Sequence, residues 1–330
     1  MAGIVHSSRY QAGRQRGAQT GERFQQAWEG EGIRRGRSPD ARPIPDAATL
    51  TQRWLETATV YALVDGFRHE WGVVDRAPLA IRSVHPEPGR LTIDPVAGRE
   101  LELLTLLLPY YDERPGQMGN FSGVPGLRLL PDGQDRDYWE LGWLDETGRD
   151  RGTQLRIRRP RSESRLLPPT PGSGPYGHPE LDNHYRELVP LWHTHPRSIS
   201  QVERARDLRG YLEFPADQAK LLSRLLRRPS LLVWPAGRGA EAVCLYHHGR
   251  VDLVVEWFGG PRVAEVATAF LAAGLDLHVH EQAARAFRDG SWPEWTLKLH
   301  AGEMELVLLP QADAPRNAAW PSPATPTGRP

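Results

Sequence analysis

The alternation of apolar and polar positions changes character along this chain, and the first clear period begins near residue 46. From there Leu50, Trp54, Leu55, Val60, Tyr61 and Val64 recur at roughly helical spacing, predicting a helix that ends near Gly66. Short runs predict strands at Leu79 to Val84 and Leu91 to Ile93, and the almost wholly apolar Leu101 to Tyr110 predicts a buried helix. After a turn-rich stretch at 112–137, Tyr138 to Leu144 and Leu155 to Arg158 read as strands. A loop dense in Pro, Gly and Ser then occupies 160–183, and loops of that length inside a domain are usually functional or disordered. The short apolar run Leu188 to Trp192 delivers the chain to His193. Helical spacing follows at Ala205 to Leu212 and Ala219 to Leu226, and Leu231 to Trp234, Ala242 to Tyr246 and Val251 to Trp257 predict a three-strand antiparallel meander. From Pro261 the pattern predicts helix, strand, helix and a hairpin (Trp295 to His300, Met304 to Leu309) before a Pro-rich tail, with no internal repeat visible.

These elements predict an α/β protein in five parts. They are a disordered basic arm at 1–45, a small α/β region at 46–130, a central domain at 131–260, an α/β extension at 261–310 and a tail at 311–330. The arm follows from composition: rich in Gly, Gln, Arg and Ser, it buries too little apolar surface to offset its ordering entropy. Lys+Arg and Asp+Glu are both 41, so no net charge suggests a nucleic acid or an anionic membrane as partner. Cys244 is the single cysteine, which excludes an intrachain disulfide and a Cys-based zinc site, and its place in a predicted strand makes it a small buried hydrophobe. No signal-like or membrane-spanning apolar run occurs, and the expectation is a soluble cytoplasmic protein.

The chemistry-bearing segment is Trp192-His193-Thr194-His195-Pro196. In an extended chain, side chains two apart point the same way, so His193 and His195 can reach one metal ion while Thr194 points away. Two imidazoles and one carboxylate fill three positions of tetrahedral Zn²⁺ and leave the fourth to water, the pattern of a catalytic site. Zinc lowers the pKa of that water to about 7. A second carboxylate, off the metal, is then needed to move the proton.

The run from Leu188 to Pro196 resembles the strand entering the His-x-His-Pro signature of the JAMM (MPN-plus) zinc metalloproteases, and Glu140-Leu141-Gly142 resembles the family's upstream acid/base element. The resemblance covers residues 136 to 258 and implies a JAMM/MPN-like central domain, a mixed or antiparallel sheet flanked by helices, with small α/β regions added. It implies Zn²⁺ held by His193, His195 and a carboxylate, with Glu140 moving the proton. The family's serine and aspartate would fall at 203 and 206, where this chain has Glu203 and Arg206. A one-residue insertion makes Asp207 the third ligand; Glu203 or Asp217 are the alternatives, and Ser200 or Ser198 would supply the hydroxyl that steadies the tetrahedral intermediate. The implied activity is hydrolysis of an amide or isopeptide bond in a protein substrate, such as the C-terminal tail of a ubiquitin-like or sulfur-carrier protein. The alternative is an MPN-like scaffold without catalysis, used for protein contact.

Other motifs carry less. Asp276-Leu277-His278-Val279-His280 resembles the opening of a PHP-type phosphoesterase, but only 50 residues remain for the many further ligands of such a barrel, and a strand with two exposed histidines is the simpler reading. His247-His248 falls in a predicted hairpin turn. Gly172 to Gly177 matches G-x-G-x-x-G as a string but follows a Pro-rich loop rather than a strand, so its context fails.

Overall fold

The computed structural model describes residues 2–23, 25–27, 44–67, 79–112, 121–130, 137–159, 188–206, 214–238, 240, 242–248, 252–279 and 296–311. Its first element corrects an expectation: α1 (Ala2–Thr20) is a helix within the stretch read as a disordered arm. The end of α1 is tied down by charge. Arg16, 2% exposed, reaches Glu22 through Nε and Nη2 at 2.7 and 3.0 Å, the Thr20 hydroxyl donates to the Arg16 carbonyl at 2.9 Å, and Glu22 also pairs with His85. Burial opposes the charge on Glu22, but hydrogen bonds from His85 and Arg16 outweigh it and hold the carboxyl at about 2. Composition could not show this, because the partners that hold the end of the helix, such as His85, lie far along the chain. The rest of the arm, 28–43, lies outside the described residues, as do the loop at 160–183 and the tail from 312.

The predicted helix appears as α2 (Leu50–Gly66), opened by Thr49, whose hydroxyl accepts from the Gln52 amide at 3.1 Å. Behind it β1 (Ile81–Glu87) and β2 (Arg90–Pro95) form a hairpin, followed by α3 (Glu100–Leu107), the short β3 (Tyr110–Asp112) and β4 (Phe121–Ser122), and the strands β5 (Leu127–Leu129), β6 (Tyr138–Leu144) and β7 (Asp150–Arg158). The sheet order is β1-β2-β7-β6-β5, with β2 parallel to β7 and the other neighbours antiparallel. The connector then adds β8 (Leu188–Pro190) to a separate three-stranded sheet in the order β4-β3-β8 and continues through α4 (Leu191–Thr194) and α5 (Gln201–Arg206).

The second half repeats the first. After α6 (Ala216–Leu226) and α7 (Pro229–Gly237) come the hairpin β9 (Ala242–His248) and β10 (Asp252–Phe258), the helix α8 (Val263–Ala272), and β11 (His278–Val279), β12 (Leu297–Ala301) and β13 (Met304–Gln311). Their order is β11-β12-β13-β10-β9, again with only the last strand and the second hairpin strand parallel. Hairpin, helix and three-strand meander therefore occur twice with one topology. The registers pair the inner faces residue by residue: Leu91 with Leu253, Ile93 with Val255, Trp139 with Leu297, Leu141 with Leu299, Leu155 with Leu306, and Ile157 with Leu308. Every one of these side chains is 1% exposed or less.

The modules meet where α2 packs along α6. Glu56, fully buried on α2, accepts from Arg227 Nη2 at 2.6 Å and Nε at 2.8 Å, from the Ser223 hydroxyl at 2.6 Å and from Gln52 Nε2 at 2.9 Å. Thr57 adds a hydroxyl bond to the Ala219 carbonyl, and Tyr61 stacks between Phe214 and His247 with ring centres 5.3 and 3.9 Å away. A buried pair of this kind is stable because every lone pair is met; removing one partner leaves an uncompensated charge.

Four further expectations need correction. A repeat exists. The division at 131 and 260 cuts through both sheets, since β6 and β7 pair back to β2, and β10 pairs forward to β13. Leu231 to Trp234, expected as the first strand of a meander, lies in α7, which begins at Pro229; a short apolar run does not by itself separate strand from helix, and proline suits a first helical turn. His247 lies within β9 rather than in a turn. The predicted helix at Ala205 to Leu212 is described only as far as Arg206, and the second helix expected after Pro261 falls at 280–295, outside the described residues. The α/β class stands. Among the described residues no helix is long and apolar enough to cross a membrane.

Candidate functional site at the connector

Strand β8 is anchored by pairing Tyr110 with Pro190 and Tyr111 with Val189, and the Leu191 amide donates to the Pro109 carbonyl at 3.0 Å. There the strand ends. Leu191 and Trp192 turn inward, 4% and 6% exposed, and the His195 amide closes a helical turn on the Leu191 carbonyl at 2.9 Å. His193 and His195 therefore do not share a strand face. Positions two apart in a helical turn point about 200° apart, so the alternation that put both imidazoles on one ion does not hold here. His193 is exposed, its ring edge-on to Trp192 at 5.6 Å, while His195 is half-buried at the end of the turn.

What fixes this loop is Arg128, on β5, 1% exposed. Its Nε donates to the His195 carbonyl at 2.7 Å, its Nη2 to the Ser198 carbonyl at 2.6 Å, and both Nη atoms to Glu203 at 2.9 and 2.8 Å. Glu203 also accepts from the amides of Gly126 and Ser200 at 2.8 and 2.9 Å. Burial opposes the Glu203 charge, but the Arg128 hydrogen bonds and charge and the two amides together hold the carboxyl below its usual value. Gly126 has φ of 77°, and a Cβ built there would stand 2.7 Å from the Leu144 carbonyl, so only glycine presents this amide without strain.

The predicted site residues thus separate. Ser200 Oγ accepts from the Glu203 amide at 3.2 Å while its own amide bonds the Glu203 carboxylate, a capping box that starts α5. It is 6% exposed and serves the helix terminus rather than an oxyanion. Glu203 has both oxygens committed to Arg128 and the amides, so it is not a substitute metal ligand. Glu140 points to the outer face of the first sheet, where it pairs with Arg156 directly across the strands. Asp217 lies in the first turn of α6 beside Gly302, in the second module. Asp207 lies outside the described residues. Among the described residues no group of three His, Cys, Asp or Glu side chains stands converged as a metal site. The strand-borne histidine pair that the resemblance implies is replaced here by a helical turn, and the third donor, Asp207, is not among the described residues.

Sequence reasoning missed Arg128 altogether, since a single arginine in a three-residue strand carries no motif. The capping box was legible as Ser200-Gln201-Val202-Glu203, the S-x-x-E string. Comparison with protein-family models, with curated proteins and with solved structures returns no match.

Proposed function

We propose that this chain is a scaffold for protein contact, built from two copies of one α/β module held back to back, and that the connector between them is structural rather than hydrolytic. The observation that carries this reading is the commitment of Glu203, Ser200 and Glu140 to an arginine clamp, a helix cap and a cross-strand ion pair, which occupies the described groups that the resemblance assigns to proton transfer and to steadying the intermediate. The joint supports it as well: the pairing of Glu56 with Arg227 fixes one module on the other, the arrangement a rigid platform requires.

A second reading keeps zinc peptidase activity, with His193, His195 and Asp207 as ligands. It is favoured by one feature, an exposed His193 on a loop pinned by Arg128. The two readings part in one experiment on the full chain: metal content by elemental analysis and hydrolysis of C-terminal amide fusions of a ubiquitin-like protein, in wild type, His193→Ala and Glu140→Gln. The scaffold predicts that metal content is the same in wild type and His193→Ala and that no chelator-sensitive hydrolysis occurs. Metal that leaves with His193→Ala, together with cleavage lost in Glu140→Gln, would overturn it.

A further inference from the structure

The outer face of the second sheet buries a carboxyl that no described cation meets. Glu256 on β10 is 1% exposed; its Oε1 accepts from Gln311 Nε2 at 2.7 Å, and its Oε2 is buried with no hydrogen-bond partner among the described residues. By register it lies directly across from Cys244 on β9 and beside Leu309 on β13, and the Tyr246 hydroxyl also bonds the carboxyl. The charged and titratable groups further along this face are Asp252 on β10 itself, Glu305 on β13, and Lys298 and His300 on β12, with Lys298 bonded to Glu305. At the equivalent point of the first sheet Asp94 meets Arg82 and Arg158. A neutral carboxyl tolerates a site like that of Glu256 far better than a carboxylate, because an unpaired buried charge loses its hydration without compensation.

We propose that Glu256 is a proton-operated latch on the hairpin of β9 and β10: with its proton it stays buried and the hairpin stays closed, and loss of the proton parts β9 from β10 so that the carboxylate reaches water. Topology fixes which strand yields. Among the described strands β9 ends the order of its sheet, so parting it breaks one ladder where an inner strand would break two. The inner side of β9 is tethered by His247, whose ring stacks on Tyr61 at 3.9 Å, so the movement is a local opening rather than loss of the module. Cys244, directly opposite Glu256 and 3% exposed, is the group that the opening uncovers. While the hairpin is closed, burial and Glu256 hold its thiol at about 12, which keeps it inert. The direction follows from linkage. The open form releases the Glu256 proton near the ordinary value of about 4.3 and the closed form holds it to higher pH, so opening grows with pH between those two points and levels off above the second.

Maleimide labelling of Cys244, the single cysteine of the full chain, tests this. The rate at each pH is divided by that of a simple thiol at the same pH, which removes the thiolate's own pH dependence. In wild type the normalised rate should climb by up to about tenfold per pH unit through the window. It should stay flat in Glu256→Gln, which keeps the shape of the side chain and cannot ionise. It should also stay flat in Ser83→Cys/Cys244→Ser, whose thiol stands at the equivalent point of the first module beside the ion-paired Asp94. A flat wild-type profile, or an equal rise in either variant, would each overturn the proposal. The wild-type profile depends on no variant folding, and none of these readings depends on whether the connector hydrolyses.

Discussion

The two modules share a strand lattice and differ in what they place on its outer face. Asp94 on β2 and Glu256 on β10 occupy equivalent points, each following the last inward aliphatic residue of the parallel pair. Asp94 is half-buried, meets Arg82 at 2.5 Å and Arg158 at 3.7 Å, and accepts from the Ser83 hydroxyl at 3.2 Å. Glu256 is 1% exposed, accepts from Gln311 Nε2 at 2.7 Å, bonds the Tyr246 hydroxyl, and has no cationic partner among the described residues. Burial pushes its carboxyl above the usual range, and the hydrogen bonds from Gln311 and Tyr246 do not compensate. Its neighbour across the hairpin is Cys244, where the first module has Ser83, and burial with the nearby Glu256 pushes that thiol up to about 12. The inner face, apolar in both modules, defines the fold. The outer face is free to vary: at this point it carries an ion-paired Asp94 in one copy and a buried Glu256 without a cation among the described residues in the other.

The comparison breaks first at the joint. Arg227→Met leaves Glu56 buried without its cation and should cost about 3–5 kcal/mol, read by urea denaturation; a loss below about 1 kcal/mol would mean that the modules do not depend on this contact. Next come Leu155→Ala and Leu306→Ala, at equivalent and fully buried points. Each should cost about 2–5 kcal/mol, and the two should agree within about 1 kcal/mol if the cores are equivalent. A wider gap would show that topology is shared but packing is not.

The smallest effect sharpens the contrast of the outer faces. The folded Glu256 carboxyl titrates above its unfolded value of about 4.3, so the folded state holds a proton that the unfolded chain has released, and stability falls as pH rises through that window. Glu256→Gln removes this loss and should gain stability over wild type at neutral pH while matching it near pH 4. Asp94→Asn should instead cost about 1 kcal/mol at neutral pH, as a pair with one exposed partner does. Paired thermal melts across pH decide between these opposite signs, and destabilisation by Glu256→Gln at pH 8 would mean that the carboxyl is charged in the fold.

Legibility from the sequence followed the range of the interaction involved. The helix over Leu50 to Gly66, the hairpin Trp295 to Leu309 and the strands at Tyr138 and Leu155 were set by periodicity within a few residues. The repeat was not readable, because its equivalent positions share identity only at scattered core leucines and elsewhere share burial alone: Trp139 answers to Leu297, and Arg158 to Leu309. At the connector, His193 and His195 were legible as residue types but not as a geometry, since whether the chain stays extended past Pro190 depends on the turn that Arg128 holds from β5.

By itself, then, the amino-acid order determined the helix over Leu50 to Gly66 and the strands at Tyr138, Leu155 and Met304, that the chain has no net charge, and that Cys244 has no intrachain disulfide partner. Only the tertiary structure decided that β2 pairs with β7 and β10 with β13, and that Glu203 meets Arg128 and Glu56 meets Arg227. The physical reason is distance along the chain. Local propensity and periodicity act over one or two turns, whereas pairing partners such as Glu56 and Arg227, 171 residues apart, are chosen by packing the whole core at once.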